Sequence, residues 1–212
     1  MLLFASGSLA TMATIEGGLP GMSAFVGFGA SGQCLYPLTS TINVENLIGY
    51  ISGFYFTVPF AIEINSMSVF FNTFPLAPET TSAVTIRAQF YEAEEASNLF
   101  SAIEETLVTL TPSFTGATPV GTLLRGEVRT NRRVEKNARL VLVFSAMSSG
   151  SDRLTESWDM QVPAWFTPDI SRYKSTKAIK GIPEAVVNQT SGMIPVLLRC
   201  VTASMAEHSD VN

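Results

Sequence analysis

The chain has 212 residues, of which 46% are hydrophobic and only 15% are charged, and its formal net charge is -5. An average soluble domain has roughly 25% charged residues, so part of this surface is expected to be unsolvated, through either membrane insertion or subunit contact. The negative charge argues against nucleic-acid binding, which needs a basic face. The length suffices for one large β domain or two small domains.

The first sixty residues predict short strands separated by glycine turns. The predicted strands are Leu2–Ala5, Thr11–Ile15, Ser23–Phe28 and Ser52–Val58. The uncharged stretch Leu47–Ile62 is shorter than the about 20 residues of a spanning helix and is interrupted by glycine and proline. We therefore expect no transmembrane segment.

The middle of the chain also predicts strands. Ala83–Tyr91 is the clearest two-faced strand, because apolar and polar residues alternate along it. Its apolar face comprises Val84, Ile86, Ala88 and Phe90. Further strands are predicted at Ile62–Phe71, Glu105–Leu110 and Trp158–Phe166, and Pro119–Leu124 with Gly126–Arg129 form a hairpin or one irregular strand.

Ala138–Met147 is the most strongly β-like segment of the chain. Its residues Leu140–Ser145 leave no polar face, whereas a half-buried strand would alternate. We therefore expect a strand that is buried on both sides, in the middle of a core, and covered by other strands.

About nine or ten short strands are expected before residue 170, with turn signals roughly every 10 residues and no convincing amphipathic helix. This pattern is typical of an all-β fold, an antiparallel jelly-roll sandwich with Greek-key connections. We assign residues 1–170 to this domain. Residues 171–212 change abruptly in composition and are predicted to be a dispensable tail, partly disordered or with one docked helix or strand.

Two motifs resemble catalytic or cofactor sites. Gly27-Phe28-Gly29-Ala30-Ser31-Gly32 fits the dinucleotide pattern G-x-G-x-x-G, but no helix start follows it, so a turn between strands is the better interpretation. His208 is the only histidine and lies beside Ser209 and Asp210, close to the end of the sequence, where a triad lacks a rigid scaffold. We predict no enzyme activity, no catalytic residue and no cofactor.

The sequence also contains one acidic and one basic cluster. Acidic residues gather at Glu92, Glu94, Glu95, Glu104 and Glu105 without the spacing of a calcium loop, which favours a solvated loop over a metal site. A basic cluster comprises Arg125, Arg129, Arg132, Arg133, Lys136 and Arg139, interleaved with Glu127 and Glu135. We interpret it as a solvated loop in which arginines pair with carboxylates.

The two cysteines, Cys34 and Cys200, are too few for a metal site and lie far apart in the sequence. A structural disulfide and two separate thiols both remain open, with the thiols favoured. Asn188-Gln189-Thr190 fits a glycosylation acceptor, which matters only in a secreted eukaryotic protein.

Ordered blocks of structural residues carry a family resemblance over roughly residues 2–170. The blocks are Phe4-Ala5-Ser6-Gly7, Gly17-Gly18-Leu19-Pro20-Gly21, Val26-Gly27-Phe28-Gly29, Phe54–Pro59, Ile62–Phe71, Val84–Tyr91 and Leu140–Ala146. Their order and spacing resemble the C-terminal head domain of Bcl-type collagen-like exosporium glycoproteins of spore-forming bacteria.

That resemblance implies a jelly roll similar to the tumour necrosis factor and C1q heads, assembled as a homotrimer on the spore surface and facing outward. In the family the head follows an anchoring segment and a collagen-like stalk. It implies a non-enzymatic structural role, with other spore-coat or exosporium proteins as further partners. The alternative is a soluble C1q-like module whose exposed loops recognise a glycan or a protein.

Overall fold

The computed structural model describes residues 2–7, 9–34, 37–47, 53–73, 81–150 and 194–207. Within these ranges the chain forms thirteen strands, three short 3-10 turns and no α-helix. The strands are β1 Leu2–Phe4, β2 Leu9–Met12, β3 Ser23–Val26, β4 Ser31–Cys34, β5 Thr41–Asn43, β6 Phe56–Thr57, β7 Ile62–Asn72, β8 Val84–Ala93, β9 Leu99–Ala102, β10 Val108–Thr109, β11 Leu123–Val134, β12 Arg139–Ser148 and β13 Ile194–Glu207.

The strands form two antiparallel sheets. The five-stranded sheet has the order β1-β13-β7-β11, with β2 also paired to β13, and the eight-stranded sheet has the order β4-β3-β12-β8-β9-β5, with β10 on β8 and β6 on β12. The pairs β1 with β13, β3 with β12, β7 with β11, and β8 with β9 and β10 are nested inside one another along the chain. One long antiparallel ribbon wrapped into two sheets has this pairing, so the predicted jelly-roll sandwich is confirmed.

The core lies between the two sheets and is supplied by alternate residues of the long strands. On β8 the predicted apolar face is confirmed, since all four of its residues are buried in this core: Val84, Ile86, Ala88 and Phe90. From the opposite sheet, Ile64, Val69 and Phe71 of β7 pack against them. Period-two alternation on strands of both sheets therefore produces one shared apolar layer.

Strand β12 is buried on both sides, as predicted. Leu142 and Phe144 face the core between the sheets, whereas Val141 and Val143 belong to a second apolar cluster on the outer side of the eight-stranded sheet. Strands of the opposite sheet thus cover only one face of β12. Residues from the connection between β4 and β6 cover the other, among them Leu38, Val44 and Phe54.

The basic segment from Arg125 to Arg133 belongs to a strand rather than to the predicted solvated loop, and the alternative of one irregular strand through Gly126–Arg129 is closer to the structure. Strand β11 runs for 12 residues at the end of the five-stranded sheet, with an irregularity in register between Arg129 and Arg132. Exposed and less exposed residues alternate along it. Charged side chains on the solvent side of an edge strand discourage pairing with other chains, and the same composition made the segment look like a loop.

Strand β13 pairs with β7 from Leu197 to Glu207 and with β1 and β2 on its other side. The predicted boundary at residue 170 and the predicted strand Trp158–Phe166 lie outside the described residues, so the division into head and tail stays a prediction. What the register shows is that the strand formed by residues 194–207 lies within the five-stranded sheet.

Candidate functional site

The outer faces of the two sheets differ in how they are covered. On the eight-stranded sheet, Phe25, Tyr91 and Phe100 are almost completely buried together with Val141 and Val143. The covering residues Leu38, Val44, Phe54 and Tyr55 belong to the described residues on either side of β5, between β4 and β6, and we call these flanking residues the covering connection. The chain's own residues therefore already cover the apolar cluster on this face.

Polar contacts fix this covering connection in place. The Arg139 guanidinium carbon lies 5.3 Å from the centre of the Tyr55 ring and 5.4 Å from that of Phe100, and Arg139 also donates to the Ser97 carbonyl oxygen. The Tyr91 hydroxyl donates to the Thr39 carbonyl oxygen at 2.9 Å, and burial raises the pKa of Tyr91 to about 12. Cation–π contacts of this kind stabilise partly desolvated surfaces.

The outer face of the five-stranded sheet carries exposed apolar side chains. We call its outward-pointing described residues on β1, β7 and β11 the open face. They are Leu3, Glu63, Ser66, Ser68, Phe70, Asn72, Leu123, Arg125, Glu127, Arg129 and Arg133. Leu3 is 49% exposed, Phe70 38% and Leu123 51%. Phe70 and Leu123 are diagonal neighbours on β7 and β11, whereas Leu3 lies on the other side of β13. Adjoining exposed apolar side chains are typical of an interaction surface.

Charge on the open face is concentrated on its β11 edge. Register places Phe70 opposite Arg125, Ser68 opposite Glu127, and Ser66 opposite Arg129. The β7 row from Ser66 to Asn72 therefore has no charge, while its neighbour alternates in sign. An uncharged centre beside a charged border resembles the core and rim of a protein–protein interface.

The glycine motif Gly27–Gly32 forms the turn of the β3–β4 hairpin, and Ser31–Cys34 is a strand where a dinucleotide site would need a helix. The Gly29 N–H donates to the Ala5 carbonyl oxygen at 2.9 Å, and the Ala5 N–H donates to the Gly27 carbonyl oxygen at 2.9 Å. These bonds join the hairpin to the end of β1. The turn is thus a structural element of the sandwich.

The predicted pairing of arginines with carboxylates is present. Arg132 pairs with Glu92 at 2.9 Å, and Arg133 pairs with Glu135 at 2.9 Å. Glu95 accepts a hydrogen bond from Asn137, while Glu104 and Glu105 lie in a 3-10 turn. Among the described residues, no group of three or more histidine, cysteine or acidic side chains is arranged to hold a metal ion.

Several of the candidate residues named from the sequence lie outside the described residues or on different sheets. His208, Ser209, Asp210 and the acceptor sequence Asn188–Thr190 lie outside the described residues. Cys34 is buried in β4 of one sheet, and Cys200 is part of β13 in the other. Cys34 packs in the outer apolar cluster of its sheet, and whether it pairs with Cys200 stays a prediction.

Sequence reasoning did not single out the open face, although one signal for it was present. Phe70 and Phe71 are adjacent, and successive side chains of a strand point to opposite sides. One of the two had to point away from the core, and in the structure it is Phe70. By contrast, nothing local in the sequence indicates that Arg139 lies between Tyr55 and Phe100.

In the described parts of the chain, no helix is both long and apolar enough to cross a membrane. No family model, curated protein or solved structure matches the chain.

Proposed function

We propose that this chain is a non-enzymatic structural head of a spore-surface protein of the exosporium, and that it associates with further copies of itself through the open face. The observation that carries the proposal is the difference between the two sheets. One outer face is covered by the chain's own connection, whereas the other presents Leu3, Phe70 and Leu123 to solvent. The spore-surface setting rests on the family resemblance of the ordered blocks.

Self-association accounts for the shortage of charge in the sequence. Charged residues are 15% of the chain, and the described outward row of β7 from Ser66 to Asn72 carries none. Burying such a row against another copy stabilises the assembly by roughly 25 cal/mol per Å² of apolar surface. Composition alone would also fit a dimer, which is the commoner assembly. The number three comes from the resemblance to C1q-like heads.

Light scattering coupled to gel filtration tests the assembly. We expect a mass near three chains for the wild type. Phe70→Glu places a carboxylate in the uncharged row of the open face, beside the half-buried Ser68, and should shift the mass toward one chain. A matched control is Leu99→Glu, because Leu99 is 47% exposed but lies on β9 of the other sheet.

The outcomes separate the parts of the proposal. A wild-type monomer at micromolar concentration would contradict self-association and weaken the family resemblance. A trimer that Phe70→Glu leaves intact would show that a different surface is used. Recovery of the protein in a spore-coat fraction supports the proposed location, and its absence there would remove that part.

A soluble C1q-like binding module, recognising a glycan or a protein through exposed loops, is the second candidate. It is favoured by four exposed apolar residues that lie outside regular strands. These are Leu19, Phe28, Phe60 and Val120, which are 53%, 55%, 48% and 62% exposed. A glycan-array signal that disappears on Phe28→Ser would support this function over the structural one.

A further inference from the structure

Arg87 on β8 points to the outer side of the eight-stranded sheet, beyond the cluster that the connection covers. It is half-buried, and its Nε is shut off from solvent without a hydrogen-bond acceptor. The other two half-buried arginines of the described residues also have an Nε without an acceptor, but the rest of each guanidinium is engaged. Arg132 pairs with Glu92, and Arg139 contacts Tyr55 and Phe100 and donates to the Ser97 carbonyl oxygen. Within the described residues, the Arg87 guanidinium has neither an ion pair nor a hydrogen bond.

The residues directly opposite Arg87, and those next to it along β8 on this face, are polar and uncharged, whereas Val143 and Met147 lie diagonally across on β12. Across the sheet, register places Ser145 of β12 on one side of it and Thr109 of β10 on the other. Along β8 itself, Thr85 and Gln89 are the next side chains on the same face. Opposite residues of paired strands have Cβ atoms about 4.5–5.5 Å apart, which is within the reach of an arginine side chain.

A second polar group without a partner, the Ser23 hydroxyl, lies next to Ser145 on the same face. The register that pairs Phe144 with Ala24 places Ser23 beside Ser145. Ser23 is fully buried, and its Oγ has no hydrogen-bond partner. Buried polar groups without partners are rare in folded proteins, and each one calls for an explanation.

We propose that Arg87, with the surrounding hydroxyl groups, is a binding site for a carboxylate. Guanidinium binds a carboxylate through two parallel N–H···O bonds, and serine and threonine hydroxyls can donate to the same oxygens. One arginine among neutral groups matches the single charge of a carboxylate better than the two charges of phosphate. This site lies on the opposite sheet from the open face and is independent of self-association.

The neighbours also favour a carboxylate carried by a hydroxylated molecule. Ser145, Thr109, Thr85 and Gln89 can all both donate and accept hydrogen bonds. The Thr85 hydroxyl already contacts the Ser113 hydroxyl at 2.8 Å, and the Gln89 amide donates to the Ile103 carbonyl oxygen at 3.2 Å. A sugar acid offers both a carboxylate and hydroxyls to such a surface, whereas acetate offers the carboxylate alone.

Calorimetric titration of the full chain with glucuronate, acetate, glucose and inorganic phosphate tests the site. We expect one glucuronate per chain, weaker or equal binding of acetate, and none of glucose. Arg87→Gln should lower the glucuronate affinity at least about tenfold, as expected from the loss of a charge-assisted pair. The control is Lys136→Gln, which removes an exposed positive charge in the turn between β11 and β12 and should leave the affinity within about twofold.

Equal binding of acetate and glucuronate would assign the carboxylate alone as the ligand, and tighter glucuronate binding would assign a sugar acid. Binding of phosphate without either carboxylate, or unchanged affinity in Arg87→Gln, would overturn the proposal. So would the absence of carboxylate binding to the wild type. If Arg87→Gln fails to fold, Thr109→Val replaces it, because Thr109 is exposed and lies opposite Arg87. An unchanged glucuronate affinity of Thr109→Val would also contradict the proposal. In both Arg87→Gln and Thr109→Val, the mass from light scattering should stay that of the wild type.

Discussion

Arg132 of β11 and Glu92 of β8 join the two sheets of the sandwich through an ion pair in which Nη2 and Oε2 lie 2.9 Å apart. The two side chains are 41% and 16% exposed, so the contact is partly shielded from water. The hydrogen bond that Arg132 donates to Glu92 raises the pKa of the Arg132 guanidinium, although partial burial acts in the opposite direction. The pair is therefore a charged contact between sheets that otherwise meet through apolar side chains.

We predict a measurable coupling energy between these two residues. A double-mutant cycle with Arg132→Ala and Glu92→Ala should give about 1 kcal/mol, at the upper end for a partly exposed pair. The physical reason is that burial lowers the local dielectric while Glu92 remains the acceptor for the Arg132 side chain. Urea unfolding of the four proteins measures the coupling.

The matched control is the pair Arg133 and Glu135, with the same 2.9 Å separation but side chains 46% and 69% exposed. These residues are two apart in the sequence and join no separate elements, so we expect a coupling of about 0.5 kcal/mol or less. Equal coupling in the two cycles would mean that the link between sheets adds nothing to a surface ion pair.

The sequence predicts a strand correctly where the strand is buried on one face only or on both faces completely. Strand β8 alternates, and β12 does not, so both were assigned correctly from the sequence. Strand β11 was predicted only in part, as a hairpin or one irregular strand that ends at Arg129, because an edge strand with charged residues on its solvent side has the composition of a loop. The sequence pattern therefore predicts buried strands better than strands at the edge of a sheet.

Two further features depend on contacts between distant residues. The connection that contains Val44 and Tyr55 covers the outer side of one sheet, and this decides which sheet has an open face. Arg87 alternates with apolar residues, as a solvent-facing residue would, and only the register of β10 and β12 shows that hydroxyls surround it. Neither arrangement has a signature in a short window of sequence.

Strand β12 should tolerate no charge on either face. Val143 is 2% exposed and packs in the outer cluster, so Val143→Asp places an unpaired carboxylate under the covering connection. We expect a loss of several kcal/mol, comparable to the stability of a whole domain, and therefore little soluble protein. Val120→Asp is the control, because Val120 is 62% exposed. A melting temperature of Val143→Asp within a few degrees of the wild type would contradict the burial of this face.

Tyr91 should make stability fall at alkaline pH. Burial, with a smaller effect of the Glu104 charge, raises its pKa to about 12, above the ordinary value of about 10. An unfolded chain releases the proton first as the pH rises, so this contribution is complete below about pH 10 and is lost between about pH 10 and 12. Tyr91→Phe lacks the titration but also lacks the hydrogen bond to Thr39, which should cost about 1 kcal/mol near neutral pH.

Urea unfolding of the wild type and Tyr91→Phe at several pH values checks this. The stability difference should be constant up to about pH 9 and should shrink as the pH approaches about 11. Subtracting the unfolding free energy of Tyr91→Phe from that of the wild type removes the contribution of the other groups that titrate in the same pH range. A difference that does not change with pH would show that the hydroxyl is solvated in the folded state.

The last strand of the five-stranded sheet should be necessary for the fold. The sequence alone predicted residues 171–212 to be dispensable, and the pairing of β13 changes that expectation. Its backbone bonds to β7 on one side and to β1 and β2 on the other, so removing it would leave strand edges unpaired inside the sheet. A chain that ends at residue 193 should lose its cooperative melt and its β-type circular dichroism spectrum.

A chain that ends at Glu207 is the matched control, because it retains all of β13. Nested pairing gives the reason to expect a sharp contrast between the two truncations. In a wrapped ribbon the first strand pairs with the last, so without β13 the strands β1 and β2 lose their partner and β7 loses the strand that pairs along one of its edges. If the shorter chain melts as cooperatively as the longer one, β13 is an addition to a sheet that is complete without it, and the head would then end before residue 194.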